Sequence, residues 1–161
     1  LRPVGVFGGG AAVRNCGITI RPRRHRFAAR INSRRQAAMG KLLYLAAILA
    51  VTLGVAHSVL GERYILTRLF RRDDLPKLFG SSEFTTRTLR FAWHITTVAW
   101  FGFAALLIHA GRGDLTISGT LQILGVTSVI SGLLPLFLTR GRHLSWLVLF
   151  VIGGIALWCA A

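Results

Sequence analysis

His57, His94, His143 and Glu62 are the residues with the most chemistry to offer in this sequence. Two neutral imidazoles at matched depth on neighbouring helices can ligate a haem iron axially. Two or three imidazoles with a carboxylate suit a transition metal such as Zn or Fe. A His–Glu pair inside a membrane can relay protons. His57 and His94 are therefore the candidate cofactor ligands, and His57, His94, His143 and Glu62 the candidate metal set. No residue is singled out as catalytic. The same side chains also have a structural use, and it carries more weight. His57-x4-Glu62 matches no known ligand spacing, and at i, i+5 the two side chains lie about 140° apart on an α-helix. A histidine one turn from a membrane interface can bond to headgroups, water or a neighbouring helix. Glu62 can partner Arg63, Arg90 or a headgroup.

The elements that must position these residues are apolar. Hydrophobic residues make up 53% of the chain and charged residues 16%, with a mean hydropathy of +0.57. Soluble domains carry about 25% charge. This balance excludes disorder for most of the chain, and it leaves little room for a folded nucleic-acid-binding surface despite a net charge of +15. Four segments free of Asp, Glu, Lys and Arg are long enough to cross a bilayer: 42–60, 91–110, about 115–138, and 144–161. In lipid the backbone must satisfy its own hydrogen bonds, so these are expected to be helices. The expected fold is all-α, an integral membrane four-helix transmembrane bundle. Short polar turns, Gly111-Arg112-Gly113-Asp114 and Thr139-Arg140-Gly141-Arg142, make the last three spans antiparallel neighbours. Asp114 is the expected cap of the third span, and Pro135 is expected to kink or end it. The long connection 61–90 carries Tyr64, Ile65, Leu69 and Phe70 among Arg63, Arg68, Arg71 and Arg72. Its first part, Glu62–Arg72, reads as an interfacial amphipathic helix, or as the first span running out of the membrane, and Asp73-Asp74-Leu75-Pro76 breaks it.

Within the spans, small and polar residues fall in stripes. Gly54, His57, Ser58 and Gly61 form one; Arg90, His94 and Thr97, continuing to Phe101, a second; Ser118, Gln122, Gly125, Ser128 and Gly132 a third. Such stripes are expected to face the bundle interior. His57 and His94 then sit at similar depth on the side of the basic loops, where His143 begins the fourth span. His109 lies at the other end. Trp93 reads as an interfacial belt residue, and Gly153-Gly154 as a packing notch.

Residues 1–38 hold nine Arg and no acid, ahead of Met39, the sole methionine. This basic tail is expected to be disordered or upstream of the native start. A transit peptide, a juxtamembrane segment and a twin-arginine signal at Ser33-Arg34-Arg35 are the alternatives. A signal peptide ending at Gly54-Val55-Ala56 competes with the first span, but the apolar run continues past it. Residues 39–161 are the transmembrane domain. Its connection 61–90 and loop 139–143 carry nine Lys/Arg, against Lys41 and Arg112 on the other side, which places the basic loops in the cytoplasm. If the tail is counted, the rule no longer decides. Cys16 and Cys159 have neither metal nor redox spacing.

The run His57-Ser58-Val59-Leu60-Gly61-Glu62-Arg63-Tyr64, followed by Leu89-Arg90-Phe91-Ala92-Trp93-His94, resembles a family of small, uncharacterised bacterial four-span membrane proteins. The resemblance covers about Met39–Ala161. It implies a bacterial inner-membrane location, attaches no activity and assigns no catalytic residue. Taken together, the residues point to a small polytopic membrane protein, more a non-catalytic accessory or interaction protein than an enzyme. The alternatives are a haem- or metal-binding redox protein using His57 and His94, and a small transporter. The expected partners are the lipid bilayer and a further membrane protein or a second copy, not nucleic acid.

Overall fold

The computed structural model describes residues 23–72, 74–78 and 80–161, with side chains from Arg30 onward except Ile31. The chain divides into two compact units, residues 1–34 and 35–161, and all packing described below lies within the second. Helix α1 spans Arg23–Leu60 and passes directly into a π-helical turn, Gly61–Leu66, and a last short turn, α2, Thr67–Leu69. Helices α3 (Glu83–Arg112), α4 (Ile117–Leu138) and α5 (Ser145–Ala160) follow. No strand occurs among the described residues. Three stretches are long and apolar enough to cross a membrane, Asn32–Leu69, Glu83–Arg112 and Ile117–Leu138, and α5 is a shorter apolar helix. The protein is an all-α, multi-pass membrane helical bundle.

Several boundaries differ from those read in the sequence. The anticipated limit at residues 38/39 falls inside α1, while residues 1–22 of the basic tail lie outside the described residues. The residues of the competing signal-peptide site, Gly54-Val55-Ala56, lie within α1, and Gly54 is buried against Trp100 and Phe101. The connection 61–90 shrinks from both ends: the first span does run on as helix to Leu69, and α3 begins at Glu83. Asp114 is not the cap of α4. Its Oδ1 lies 3.0 Å from His109 Nδ1, and Thr116 caps instead, its hydroxyl accepting from Gly119 N–H at 2.9 Å. Pro135 sits inside α4, which continues to Leu138. Its carbonyl accepts from both Thr139 N–H (3.1 Å) and the Thr139 hydroxyl (2.6 Å), closing the helix on an almost fully buried threonine.

α1 packs on α3 through Ala47, Ala50 and Ala104, with Trp100, Leu107 and Ile108 around them. α4 lies between α3 and α5. The α4–α5 contact is built on glycines: Gly125 faces Leu157, Gly132 faces Phe150, and Gly153 faces Val129. Ser118 donates to Ala160 O at 2.6 Å. Lipid offers no hydrophobic drive between helices, so close packing over small residues is what holds them. Outward faces are apolar, with Leu45, Ile48 and Leu49 on α1 and Val148, Val151 and Ile155 on α5 all exposed. Gln122 departs from its stripe: Gly125 and Gly132 are buried against α5, but Gln122 is exposed.

The connection ahead of α3 and the α4–α5 turn share one end of the bundle. Phe84 and Phe91 of α3 pack on His143 at centroid separations of 6.1 and 4.9 Å. A small cleft there is lined jointly by Ser81, Arg87, Thr139 and Arg142. The other end carries the approach of Gly40 to Gly111 and the His109–Asp114 pair. The two basic loops are therefore on one side.

Candidate functional site

Where α1 leaves the bundle beside the start of α3, two i, i+4 pairs meet. Ser58 and Glu62 lie one turn apart on the α1 side, and Arg90 and His94 one turn apart on α3, so each pair shares a helix face. The helices run antiparallel and the pairs cross-match. Ser58 Oγ is 2.8 Å from His94 Nδ1, and Glu62 Oε2 is 3.4 Å from His94 Nε2. Arg90 grips the Glu62 carboxylate in a fork, Nε to Oε2 at 3.2 Å and Nη2 to Oε1 at 2.8 Å. Ser58 and His94 thus share a hydrogen bond across the helices, whose direction follows the His94 tautomer. Arg90 also lies over the Phe70 ring, 5.1 Å from its centroid, a cation–π contact from the far side.

His57 belongs to a neighbouring arrangement. Its ring stacks on Trp93 at 4.4 Å with planes 4° apart. Trp93 Nε1 donates to His57 O at 3.0 Å. The Thr96 hydroxyl donates to Trp93 O at 2.6 Å and so receives the His57 Nε2 proton at 2.7 Å. Gly61 makes room for the indole: a Cβ at that position would overlap the Trp93 ring. Each helix thus sends a histidine to the other, His57 from α1 to Trp93 and Thr96, His94 from α3 to Ser58 and Glu62.

His143 stands apart from both. It precedes α5, where Ser145 N–H donates to its Nδ1 at 3.3 Å and Ser145 Oγ lies 2.8 Å away. Its ring packs on Phe84 and Phe91. His109, at the opposite end, holds Asp114. Of the four candidate metal ligands the structure joins His94 and Glu62 only. Among the described residues, no three His, Cys, Asp or Glu are grouped to hold an ion. His57 Nε2 and both nitrogens of His94 already have protein partners. In the connection, the Arg72 guanidinium bonds Asp74 at 2.9 and 2.8 Å and holds its carboxyl below the usual range.

Hydroxyl, imidazole and carboxylate in a line are the parts of an activated nucleophile. Such chemistry also needs a cleft that admits a reacting carbonyl and donors that receive its charge. Three cavities of about 300 to 530 Å³ lie along the helices, and among the described residues that line these three there is no member of the cluster. The arrangement forms a polar clasp between α1 and α3. Arg90→Met is expected to lower stability by about 1–3 kcal/mol, because it leaves Glu62 without its charged donor. Arg90→Met combined with Glu62→Met should recover most of the loss. Thermal unfolding of the unsubstituted protein, Arg90→Met and the double variant in mild detergent measures both, and equal losses in the single and double variants would sink the clasp.

The sequence reading named His57, His94 and Glu62 and placed Arg90 beside His94, but it did not pair Ser58 with His94 or see Thr96 and Trp93 as partners of His57. The Ser58–Glu62 spacing was the available signal. Comparison with protein-family models, with curated proteins and with solved structures found no match.

Proposed function

We propose that this chain is a small four-span protein of a bacterial inner membrane, with its basic loops cytoplasmic, that works as a non-catalytic accessory or interaction protein. The observation that carries this reading is the use made of the reactive side chains. His57, His94, Ser58, Glu62 and Arg90 are engaged with one another or with Trp93 and Thr96 across the α1–α3 contact, away from the cavities. The hollows of the molecule are open apolar grooves between helices, the shape that receives another helix or an acyl chain. At 16 residues α5 spans about 24 Å, short of a ~30 Å hydrocarbon core. Thinning of the adjacent bilayer or contact with a further helix accommodates that shortfall. The orientation rests on Arg63, Arg68, Arg71, Arg72, Lys77, Arg87, Arg90, Arg140 and Arg142 at one end, against Lys41 and Arg112 in residues 39–161 at the other.

The test is affinity purification from native membranes in mild detergent, with optical spectra and metal analysis of the product. A defined larger membrane protein at constant stoichiometry is the expected result, without a Soret band or bound metal. A chromophore or near-stoichiometric metal that disappears in His57→Ala or His94→Ala, with the helical fold intact, would replace this reading with a redox one.

A further inference from the structure

We propose that two copies of this chain associate in the membrane through the open groove between α3 and α4, with Gln122 of each bonded to Gln122 of the other. The groove, of about 510 Å³, is lined by Phe101, Ala105, Ile123, Val126 and Ile130 among others, and its polar members are Gln122 and Thr127. The Thr127 hydroxyl is already used, donating to Ile123 O at 2.7 Å. Gln122 is exposed, and it makes no hydrogen bond with any described residue. It lies six residues past the Thr116 cap, about 9 Å along the helix at 1.5 Å per residue, with exposed apolar Ile117 between. An amide facing hydrocarbon without a partner is costly.

The chemistry of the amide selects the occupant. A lipid tail fills an apolar groove but offers no donor or acceptor. A carboxamide carries both, so it satisfies an identical group across a two-fold axis. Copies inserted with the same orientation carry Gln122 at the same depth, and a two-fold along the membrane normal brings the two amides together at one level. Another polypeptide would need a polar residue of its own at that depth. Val126, one turn further along α4, is exposed in the same groove and flanks the contact. The dimer requires only that the helices lie in a membrane, not that the chain serves a larger complex.

The experiment uses the full chain in native membrane vesicles, with Cys16→Ser and Cys159→Ser removing background thiols. Val126→Cys treated with a short bismaleimide should give a product of twice the chain mass. Val148→Cys, on the outward face of α5, should not. Adding Gln122→Leu to Val126→Cys should weaken association about 10- to 30-fold, read as a rise in the protein-to-lipid ratio needed for cross-linking, while Gln122→Asn should retain most of it. The proposal is overturned by any of four results: no product from Val126→Cys, equal product from Val148→Cys, a product of another mass, or a dimer indifferent to Gln122→Leu. None of these would remove the accessory reading, which depends on the co-purified partner.

Discussion

Gly153→Ala is expected to lower the melting temperature of the detergent-solubilised protein by about 6–12 °C, while Gly154→Ala, one residue on, should leave it unchanged or slightly higher. The two glycines are chemically identical neighbours in α5, and only their surroundings differ. A Cβ at Gly153 would stand 2.6 Å from Val129 Cγ2, 2.9 Å from Gly125 O and 3.2 Å from Val129 N. Two of those three atoms are backbone and cannot rotate aside, so the helices must separate. Overpacking of this kind costs about 1–3 kcal/mol, and the backbone contacts place Gly153 near the upper figure. At about 2–4 °C per kcal/mol for a chain of this size, the stated shift follows. A Cβ at Gly154 meets nothing within 4 Å, and alanine is the better helix former. Circular dichroism at 222 nm during heating reads both variants. Equal melting temperatures would mean that α4 and α5 do not approach closely at this point.

The helices over the four apolar runs were legible, three of them long enough to cross a membrane and the fourth shorter, because a bilayer allows few solutions: uncharged apolar runs of sufficient length must be helices. Their ends were not, because they are set by local competition. Asp114 and Thr116 are both good caps by residue type, and Thr116 takes the role while His109 holds Asp114. The first part of the connection 61–90 read as an interfacial helix or as the first span running out of the membrane, and helical structure does continue through Leu69; the start of the next helix at Glu83 was placed later, at residue 91, because the sequence marks the apolar run and not the turns that precede it. The Gly153 notch was anticipated, although only one of the two glycines forms it.

The clasp was half legible. Its residues stood out by type, and Arg90 was among the expected partners of Glu62, but His57 and His94 were set together as one ligand pair, whereas the structure gives each its own partners on the other helix. The i, i+4 spacings of Ser58 with Glu62 and of Arg90 with His94 were both visible and match when the helices are set antiparallel. Trp93 was read as a belt residue facing the interface, and its turn inward depends on the missing side chain at Gly61. The π turn at Gly61–Leu66 left no mark in the sequence, because its i to i+5 bonding is a response to tertiary contacts more than to residue type. The outward Gln122 was likewise hidden, since its position in the stripe with Gly125 suggested burial, whereas Gly125 is buried against α5 and Gln122 is exposed.

Gly61→Ala should open the clasp itself, with an expected loss of about 2–4 kcal/mol. The added methyl falls on Nε1, Cε2 and Cζ2 of Trp93, so the indole must leave. Its departure removes the hydrogen bond to His57 O and the stacking on the His57 ring, adding about 1 kcal/mol to an overpacking cost of about 1–3 kcal/mol. Ser58 and Glu62 flank Gly61 on the α1 side, and Arg90 and His94 flank Trp93 on α3. A shift that admits the methyl therefore also lengthens the Ser58–His94 and Glu62–Arg90 contacts. Trp93→Leu should remove the clash as well as the bond. The double variant Gly61→Ala/Trp93→Leu is then expected to be no less stable than Trp93→Leu alone, a non-additivity characteristic of residues in direct contact. Thermal unfolding of the two single variants and the double variant closes the cycle. Additive losses would place Gly61 and Trp93 in separate environments and remove the steric basis of the α1–α3 junction. A non-additive cycle would establish that a glycine, rather than a polar residue, allows the two histidines to exchange helices.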